Sequence, residues 1–224
     1  VDHIELVDTP EQSDLCVLPM SWNYYACGKR GAADNFINQC RNAGKDVLTV
    51  TTGDFGITPW HRDVIVLRAS GYQSKRLPTQ HALPTFFGDP IKEVYGGNHP
   101  KLRSYCSVPT VGFCGHASSS LSKAAKQVTH TMYRRLRWMT GISADDLQPL
   151  YPEVRRRALA LQHLERAKLV STNFIWRKKY RAGAELEVDR QRTSVEFFRN
   201  IQNTDYTLCI RGGGNFSSRL YETL

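Results

Sequence analysis

The sequence lacks the local patterns that mark several large classes of protein. No apolar run reaches the roughly 18 residues that a membrane-spanning helix needs, and no basic, apolar and small-residue signal opens the chain. Neither the full Walker pattern nor a G-x-G-x-x-G after the first predicted strand is present, which argues against an ATPase and a dehydrogenase. There is no internal repeat and no low-complexity tract, so we expect an ordinary globular protein.

Cysteine never occurs as a C-x-x-C pair, and this argues against a zinc site. The six cysteines are at 16, 27, 40, 106, 114 and 209. Cys16, Cys114 and Cys209 each lie within an apolar, strand-like run, so we predict buried, reduced thiols and a reducing compartment. Three histidines also lack metal-ligand spacing, and we interpret them as non-ligands: His61, His81 and His99. The alternative is that one of them serves as a base.

The sequence does have the amino-acid composition of a folded globular protein, and its net charge is distributed very unevenly along the chain. Its 224 residues are 41% hydrophobic, enough for one large or two small domains. Residues 1–116 hold 11 Lys and Arg against 11 Asp and Glu, whereas residues 117–224 hold 19 against 10, which is the whole net charge of +9. A basic half implies an anionic partner, either nucleotide phosphates, nucleic acid, an acidic glycan or an anionic membrane. The alternative is a solvated basic surface without a ligand.

Apolar runs separated by turn residues predict an α/β first half. We predict strands at 15–18, 46–50 and 63–69. The helix predicted over 31–43 has an apolar face of Ala33, Phe36, Ile37 and Cys40. Residues 21–25 are predicted as a strand-end loop whose aromatic side chains either line a cleft or cover the sheet edge. Residues 70–100 are predicted as mostly loop.

The second half is predicted to contain more helix, after a linker at 101–110 where the charge balance changes. The predicted order is a strand at 109–116, helices at 121–139, 153–169 and 193–203, a strand at 205–210 and a last helix from 217. Thr193 and Glu196 have the spacing of a capping box, which places the start of the third of these helices at Thr193.

Two clusters of basic residues lie in the second half. We interpret the arginines at 155–157 as a solvated face of their helix. The densest cluster, at 177–181, suits a diphosphate, a glycan acid or nucleic acid, and no nucleic-acid-binding motif surrounds it. Its candidate diphosphate contacts are Arg177 and Lys178.

Asp54 follows the second predicted strand, in the loop at 51–56. Catalytic groups of open α/β sheets lie at the carboxyl ends of the strands, so Asp54 is a candidate general base. The alternative is an aspartate that stabilises its own turn.

The last twenty residues contain a strand, three consecutive glycines and the start of a helix. The glycines can adopt positive φ and let a ligand approach the backbone. Ser217 and Ser218 are good N-cap residues, and the helix N-terminus between Arg211 and Arg219 suits a phosphate or diphosphate. Glu222 can accept hydrogen bonds from a sugar hydroxyl. The alternative is an ordinary β-α turn.

These residues resemble the nucleotide-sugar motif of the exostosin family of glycosyltransferases. The family's form is Leu-Cys-x-Arg-Gly, a few residues, then Ser-x-Arg-Leu-x-Glu-x-Leu, and this chain matches it from Leu208 to Leu224. Three upstream stretches are similar to strands of the same family, at 14–19, at 45–48 with the Gly-Asp pair 53–54, and at 111–115. The likeness is to short bacterial members rather than to animal heparan-sulfate polymerases.

The resemblance implies a GT-B-like α/β architecture of two Rossmann-like domains with the active site in the cleft between them. Together with the change of charge, it predicts an N-terminal acceptor-side domain at 1–105 and a C-terminal nucleotide-sugar-binding domain at 106–224. The implied activity is transfer of a sugar from a UDP sugar to a glycan hydroxyl, with inversion of the anomeric centre. The implied partners are a nucleotide sugar and a glycan acceptor, without nucleic acid.

The resemblance also implies roles for individual residues. Donor binding would involve Arg211, Gly212, Gly214, Ser217, Ser218, Arg219 and Glu222. Arg219 would bind the diphosphate and Glu222 the ribose hydroxyls. Because arginines and the helix N-terminus would stabilise the leaving nucleotide, we expect no cofactor and no obligatory metal. Asp54 would be the base that activates the acceptor hydroxyl.

Two other functions remain open. One is a non-catalytic basic domain that binds an anionic glycan or nucleic acid, and the other is a different phosphate-ligand enzyme on a Rossmann-like fold. Family members continue beyond the last helix, whereas this sequence stops at Leu224 and does not start with Met. We therefore expect a fragment whose second domain is incomplete and whose own binding of UDP is weak. Membrane association would come from regions outside this sequence, and the compartment would be cytoplasmic or membrane-peripheral in bacteria and the Golgi lumen in eukaryotes.

Overall fold

The computed structural model describes residues 4–84, 88–98, 103–214 and 217–223, apart from the side chains of residues 180 and 181. In these residues the chain is α/β, with two parallel sheets. By Cα proximity it divides into two compact units. Unit 1 comprises 1–84, 134–148 and 213–216, and unit 2 comprises 85–133, 149–212 and 217–224. Each unit contains one sheet, and the sequence-based boundary after residue 105 stays a prediction.

The sheet of unit 1 has four parallel strands in the order β1-β2-β3-β4. The strands are β1 Cys16–Val17, β2 Val47–Thr51, β3 Ile65–Arg68 and β4 Gln80–Ala82. The first three confirm predicted strands, with β1 and β3 shorter than predicted and β2 shifted by one residue. The prediction of loop was wrong for β4, which pairs with β3 through Val66 and Gln80. A strand of three mostly polar residues has no alternation of apolar residues that sequence analysis could detect. It is recognised as a strand only from its pairing with β3.

Two helices of unit 1 lie between β1 and β2: α1 Trp22–Ala26 and α2 Arg30–Asn42. Helix α2 confirms the prediction and ends before Gly44, whose φ of +69° suits a glycine. Helix α1 replaces the loop predicted at 21–25. Its Trp22 is fully buried and Tyr25, one turn later, is also buried, so these aromatic side chains belong to the core rather than to a cleft or a sheet edge.

The sheet of unit 2 has three parallel strands in the order β6-β5-β7. They are β5 Thr110–His116, β6 Ser171–Arg177 and β7 Tyr206–Thr207. Strand β5 confirms the prediction. Strand β6 was not predicted because its first three residues are polar, yet it pairs with β5 along all seven residues. Strand β7 is shorter than predicted and is not a buried strand, since Tyr206 is 65% exposed.

The remaining helices are α3 Pro90–Glu93, α4 Leu121–Met139, α5 Glu153–Glu165, α6 Glu187–Gln202 and α7 Ser218–Glu222. Helix α4 has the predicted bounds, and α5 ends at Glu165 rather than at 169. The capping box predicted at Thr193 was wrong. Thr193 lies inside α6, where its hydroxyl donates to the Arg190 carbonyl at 2.9 Å. The helix starts earlier because the acidic residues Glu187 and Asp189 favour its first turn.

Each unit has its own apolar core. The core of unit 1 is built around Trp22, Ile37 and Val66. The smaller core of unit 2 consists of Phe113, Ala117, Ala158 and Leu161, with Phe174 and Leu208 packed against it. Helix α5 therefore packs on the sheet of unit 2 through its buried face, which brings this helix to the carboxyl end of β5.

All six cysteines lie within the described residues and none forms a disulfide. Cys16 and Cys114 are buried as predicted, whereas Cys209 is half-buried. Burial, with a smaller contribution from the neighbouring Cys16, raises the pKa of Cys40 to about 12. Burial also raises the pKa of Cys114. These thiols are therefore protonated and weakly nucleophilic at neutral pH. Within the ranges described above, no helix is long and apolar enough to cross a membrane.

Candidate anion-binding site

The candidate site lies in unit 2, where strands β5 and β7 diverge. The ladder between them has two residue pairs, the second joining Gly112 and Thr207. One further backbone bond, from the Leu208 N–H to the Gly112 carbonyl at 2.9 Å, ends the contact. Beyond it, the carbonyl groups of both segments need other donors. Two arginine side chains provide them.

Arg219, in α7, joins the two diverging segments. Its Nη2 donates to the Cys114 carbonyl at 2.6 Å and its Nη1 to the Leu208 carbonyl at 3.3 Å. Its guanidinium carbon lies 4.5 Å from the centroid of the Phe113 ring. Gly115 makes this position possible, because a Cβ there would lie 2.9 Å from Nη2 of Arg219.

Arg157, in α5, makes a second connection between the same segments. Its Nη1 donates to the His116 carbonyl at 2.5 Å and its Nη2 to the Arg211 carbonyl at 3.2 Å. Its guanidinium carbon lies 5.9 Å from the centroid of the Phe113 ring. Two guanidinium groups from two different helices therefore lie over one aromatic ring, that of Phe113 in the middle of β5.

Sequence analysis missed Arg157, because we interpreted the arginines at 155–157 as a solvated face. That interpretation was wrong for Arg157, which is half-buried. A signal was present in the helical period. Arg157 lies three residues after Val154 and four before Leu161, both buried in the face of α5 that meets the sheet.

The negative charges of Glu153 and Glu222 act on Arg157 and Arg219 respectively, but without a direct ion pair between these described residues. Among the described residues neither arginine forms a salt bridge, and the Nε–H of each is buried without a hydrogen-bond acceptor. Burial lowers the pKa of both groups, and the nearby charge of Arg157 lowers the pKa of Arg219 further. An arginine remains protonated in spite of such shifts. An anion placed here would offset the cost of holding two cations away from water.

His116, the last residue of β5, adds a neutral group to the site. Its Nε2 is buried and has no hydrogen-bond partner among the described residues. Burial lowers the pKa of His116, and the positive charges of Lys123 and Arg157 lower it further. The imidazole is therefore uncharged at neutral pH and can donate or accept a hydrogen bond.

Two residues predicted to bind the donor lie next to these arginines. Arg211 provides its carbonyl to Arg157, and its guanidinium carbon lies 5.2 Å from the centroid of the Tyr151 ring. A Cβ on Gly212 would lie 3.9 Å from Nη2 of Arg157, which is an ordinary contact distance. The structure thus brings Arg211, Gly212 and Arg219 to one end of the sheet.

The other predicted residues of the helix lie on α7. Ser217 occupies the N-cap position without a side-chain capping bond, Ser218 is the first helical residue and Glu222 the last. Helix α7 has five residues, so its dipole is small. The predicted contribution of a helix N-terminus to anion binding is therefore minor, and the guanidinium groups are the main positive charges at the site.

Gly214 and Asp54 both belong to unit 1. The three consecutive glycines can adopt positive φ, but none of residues 212–214 has φ in the left-handed region. Gly214 instead permits close packing, because a Cβ there would collide with the backbone carbonyl of Asp54. The Asp54 side chain is exposed and makes no hydrogen bond or ion pair within the described part of the chain.

The two candidate diphosphate contacts after β6 differ in their surroundings. Arg177 donates to the Glu196 carboxylate at 2.6 Å and to the Thr193 carbonyl at 2.7 Å. It therefore connects β6 to α6, and it would have to leave Glu196 to bind a diphosphate. Lys178 is exposed in the bend that follows the strand.

No group of three or more His, Cys, Asp or Glu side chains is arranged to hold a metal ion in the residues that the structure describes. The groups at the end of β5 are guanidinium N–H donors, which match an anion. The predicted independence of a metal and a cofactor stays a prediction.

Comparisons with family models, with curated proteins and with solved structures each found no match to this chain. The resemblance to the exostosin family stays a prediction from the sequence motif.

Proposed function

We propose that this chain is an exostosin-like glycosyltransferase that moves a sugar from a UDP sugar to a glycan hydroxyl and inverts the anomeric centre. The observation that supports this most is the pair of half-buried arginines, Arg157 and Arg219, neither of which forms a salt bridge among the described residues. They lie at the carboxyl end of a parallel sheet, where open α/β sheets bind ligands. Two adjacent guanidinium groups match a diphosphate.

In the proposed reaction, Arg157 and Arg219 hold the diphosphate of the donor. Asp54 takes the proton of the acceptor hydroxyl, whose oxygen attacks the anomeric carbon from the face opposite the nucleotide. The bond between that carbon and the diphosphate oxygen breaks, and UDP leaves with the electron pair. The two arginines stabilise the negative charge that develops on the leaving oxygen.

The remaining residues of the motif take part in donor binding. Arg211, Ser217 and Ser218 lie near Arg219 along the chain, and Glu222 accepts hydrogen bonds from the ribose hydroxyls. The two Rossmann-like domains of a GT-B-type transferase belong to this proposal, as do UDP and a glycan as the two substrates.

A transfer assay with a panel of UDP sugars tests the proposal. Arg157→Met and Arg219→Met keep an aliphatic stem but remove the charge, and each should lower kcat on the order of 10²–10³-fold. Arg166→Met is the matched control, because this arginine is exposed just after α5, and it should not change the rate. Circular dichroism checks that all three variants are folded.

Asp54→Asn separates the two halves of the proposed reaction. Because the base acts on the acceptor, this variant should lose transfer and keep the affinity for UDP that calorimetry measures on the unchanged protein. Transfer by Asp54→Asn at the normal rate would exclude Asp54 as the base. A protein that binds and uses no UDP sugar would contradict the donor assignment.

The alternative is a non-catalytic domain that binds an anionic glycan or nucleic acid. It is favoured by the net charge, which lies wholly in residues 117–224. In that case Arg219→Met would remove one anion contact among many, and the slope of log affinity against log salt would fall by about one. A polyanion would then compete for binding, and no UDP sugar would be consumed.

A further inference from the structure

Helix α4 is basic throughout its length. Its 19 residues include two lysines and three arginines and no acidic residue. Arg134 and Arg135 belong to unit 1 together with the segment 145–148, in which Arg134 pairs with Asp145 and Arg135 donates to the Gln148 carbonyl at 2.8 Å. The other cationic side chains of the helix are exposed.

The helical period divides exposed residues of α4 into an apolar and a basic stripe, whose centres lie roughly 145° apart around the helix at about 100° per residue. The apolar stripe consists of Leu121, Ala125, Met132, Leu136 and Met139. Its four large side chains are between 52% and 73% exposed. The basic stripe consists of Lys123, Lys126, His130 and Arg137. Both stripes recur at spacings of three, four and seven residues, so each runs along one side of the helix.

We propose that α4 binds the surface of an anionic lipid bilayer. Its apolar stripe would lie at the boundary between headgroups and acyl chains, and its basic stripe would lie among anionic headgroups. The apolar stripe extends about 27 Å along the helix axis at a rise of about 1.5 Å per residue. A helix of this length with one apolar and one basic stripe lies parallel to the membrane plane. This inference does not depend on the proposed transferase activity.

The charges of the helix favour a bilayer over other occupants. A second copy of α4 would place side by side two helices that each contain five lysines and arginines and no carboxylate, and their like charges would repel. A nucleic acid or an acidic glycan would attract the basic stripe but would leave Met132, Leu136 and Met139 in water. An anionic bilayer provides both anionic headgroups for the basic stripe and acyl chains for the apolar stripe along the whole helix.

Flotation with lipid vesicles tests this inference. The intact protein should float with vesicles of phosphatidylcholine and phosphatidylserine, and less with phosphatidylcholine alone, and added salt should weaken binding. The double variant Met132→Gln, Leu136→Gln removes apolar area and keeps good helix formers, and its partition coefficient should fall by about tenfold or more. Lys123→Gln with Lys126→Gln should lower it by roughly fivefold for each charge.

Matched controls remove the same kinds of side chain outside α4, at positions in unit 2. Leu169→Gln with Val188→Gln replaces apolar residues that are 82% and 77% exposed, and this variant should float like the unchanged protein. Lys92→Gln with Lys168→Gln removes two exposed lysines and should have the same result. Circular dichroism and thermal unfolding confirm that each variant is folded before its flotation is compared.

Three results would overturn the inference. The first is no flotation of the unchanged protein with anionic vesicles. The second is an equal loss in the variants of α4 and in their controls. The third is vesicle binding that the lysine variant loses and the Met132→Gln, Leu136→Gln variant retains, which would show a polyanion-binding surface. In the absence of vesicle binding, a dimer that this apolar variant converts to a monomer in ultracentrifugation would identify a second copy as the occupant.

Discussion

Each unit of the molecule holds buried arginine side chains, and the two units compensate this charge differently. In unit 1, the Arg68 side chain is 4% exposed and donates to the Asp146 carboxylate at 2.8 Å. It also donates to the Gln80 amide oxygen at 2.5 Å and to the Ser70 carbonyl at 2.7 Å. In unit 2, the hydrogen bonds of Arg157 and Arg219 go to backbone carbonyls, and their Nε–H groups have no acceptor among the described residues.

The space around these arginines also differs. Gly56 and Gly71 pack so closely on Arg68 that a Cβ on either would collide with its Nη2. Next to Arg157, a Cβ on Gly212 would only touch the guanidinium group. A buried cation with a carboxylate and an enclosing backbone stabilises its own unit, whereas cations with only carbonyl partners retain attraction for an anion. This difference is why we propose a ligand site in unit 2.

Asp146→Ala has the largest expected effect on this comparison. It leaves Arg68 buried without its countercharge, so the free energy of unfolding should fall by about 3–5 kcal/mol in urea denaturation. Asp63→Ala is the control, because its ion pair with Arg41 is exposed, with side chains that are 59% and 38% accessible. The control should lose about 1 kcal/mol or less. Equal losses would show that burial does not distinguish the two ion pairs.

A diphosphate should have the next largest effect, and it acts on unit 2. UDP or inorganic diphosphate at 100 times its dissociation constant should raise the free energy of unfolding by about 2.7 kcal/mol, as measured by thermal shift. The double variant Arg157→Met, Arg219→Met should lose this stabilisation, whereas Arg166→Met should retain it. Stabilisation of the double variant to the same extent would place the anion elsewhere.

Alanine substitution at two glycines tests the difference in space. Gly56→Ala should lower the free energy of unfolding by about 1–3 kcal/mol, because the new Cβ meets both Arg68 and the Asp146 carboxylate. Gly212→Ala next to Arg157 should stay within about 0.5 kcal/mol of the unchanged protein. Neither glycine has left-handed φ, so the comparison reports sterics alone. A larger loss of unfolding free energy in Gly212→Ala would mean that the surroundings of Arg157 in unit 2 are packed as closely as those of Arg68 in unit 1.

The smallest expected effect concerns the dependence of stability on pH. Burial lowers the pKa of His116 in the folded protein below 6.5. As the pH falls, His116 is therefore protonated in the unfolded chain at a higher pH than in the folded protein. This contribution to stability is complete above pH 6.5 and is lost as the pH falls from there towards the folded pKa. In unit 1, hydrogen bonds from Trp60 and then His61 lower the pKa of Asp34, so its contribution is present above pH 3.8 and is lost as the pH falls through its folded pKa.

Urea unfolding at a series of pH values separates the pH range in which His116 affects stability from the range in which Asp34 does. His116→Gln should reduce the loss of stability just below pH 6.5, because it removes a group that the folded state keeps neutral. His163→Gln, at an exposed position on α5, serves as the control and should leave that loss in place. The same slope in His116→Gln and in the unchanged protein would contradict the assignment to His116.

The sequence by itself determined the features that depend on neighbouring residues in the chain. The apolar period was sufficient for α2 and for both ends of α4, since a helix buries one face at a fixed spacing. The apolar run at 110–116 was sufficient for β5. The excess of positive charge in residues 117–224 and the candidate role of Arg219 also came from composition and local motif.

The tertiary structure decided the features that join distant parts of the chain. Strands β4 and β6 are short or start with polar residues, so pairing with β3 and β5 defines them. Arg177 looked like a free cation in a basic cluster, and it is bound by Glu196 of α6. Arg157 looked like one arginine of a solvated run, and it reaches carbonyls of His116 and Arg211 that lie 41 and 54 residues away. Periodicity describes one element at a time, whereas the partners of a buried charge depend on how several elements pack.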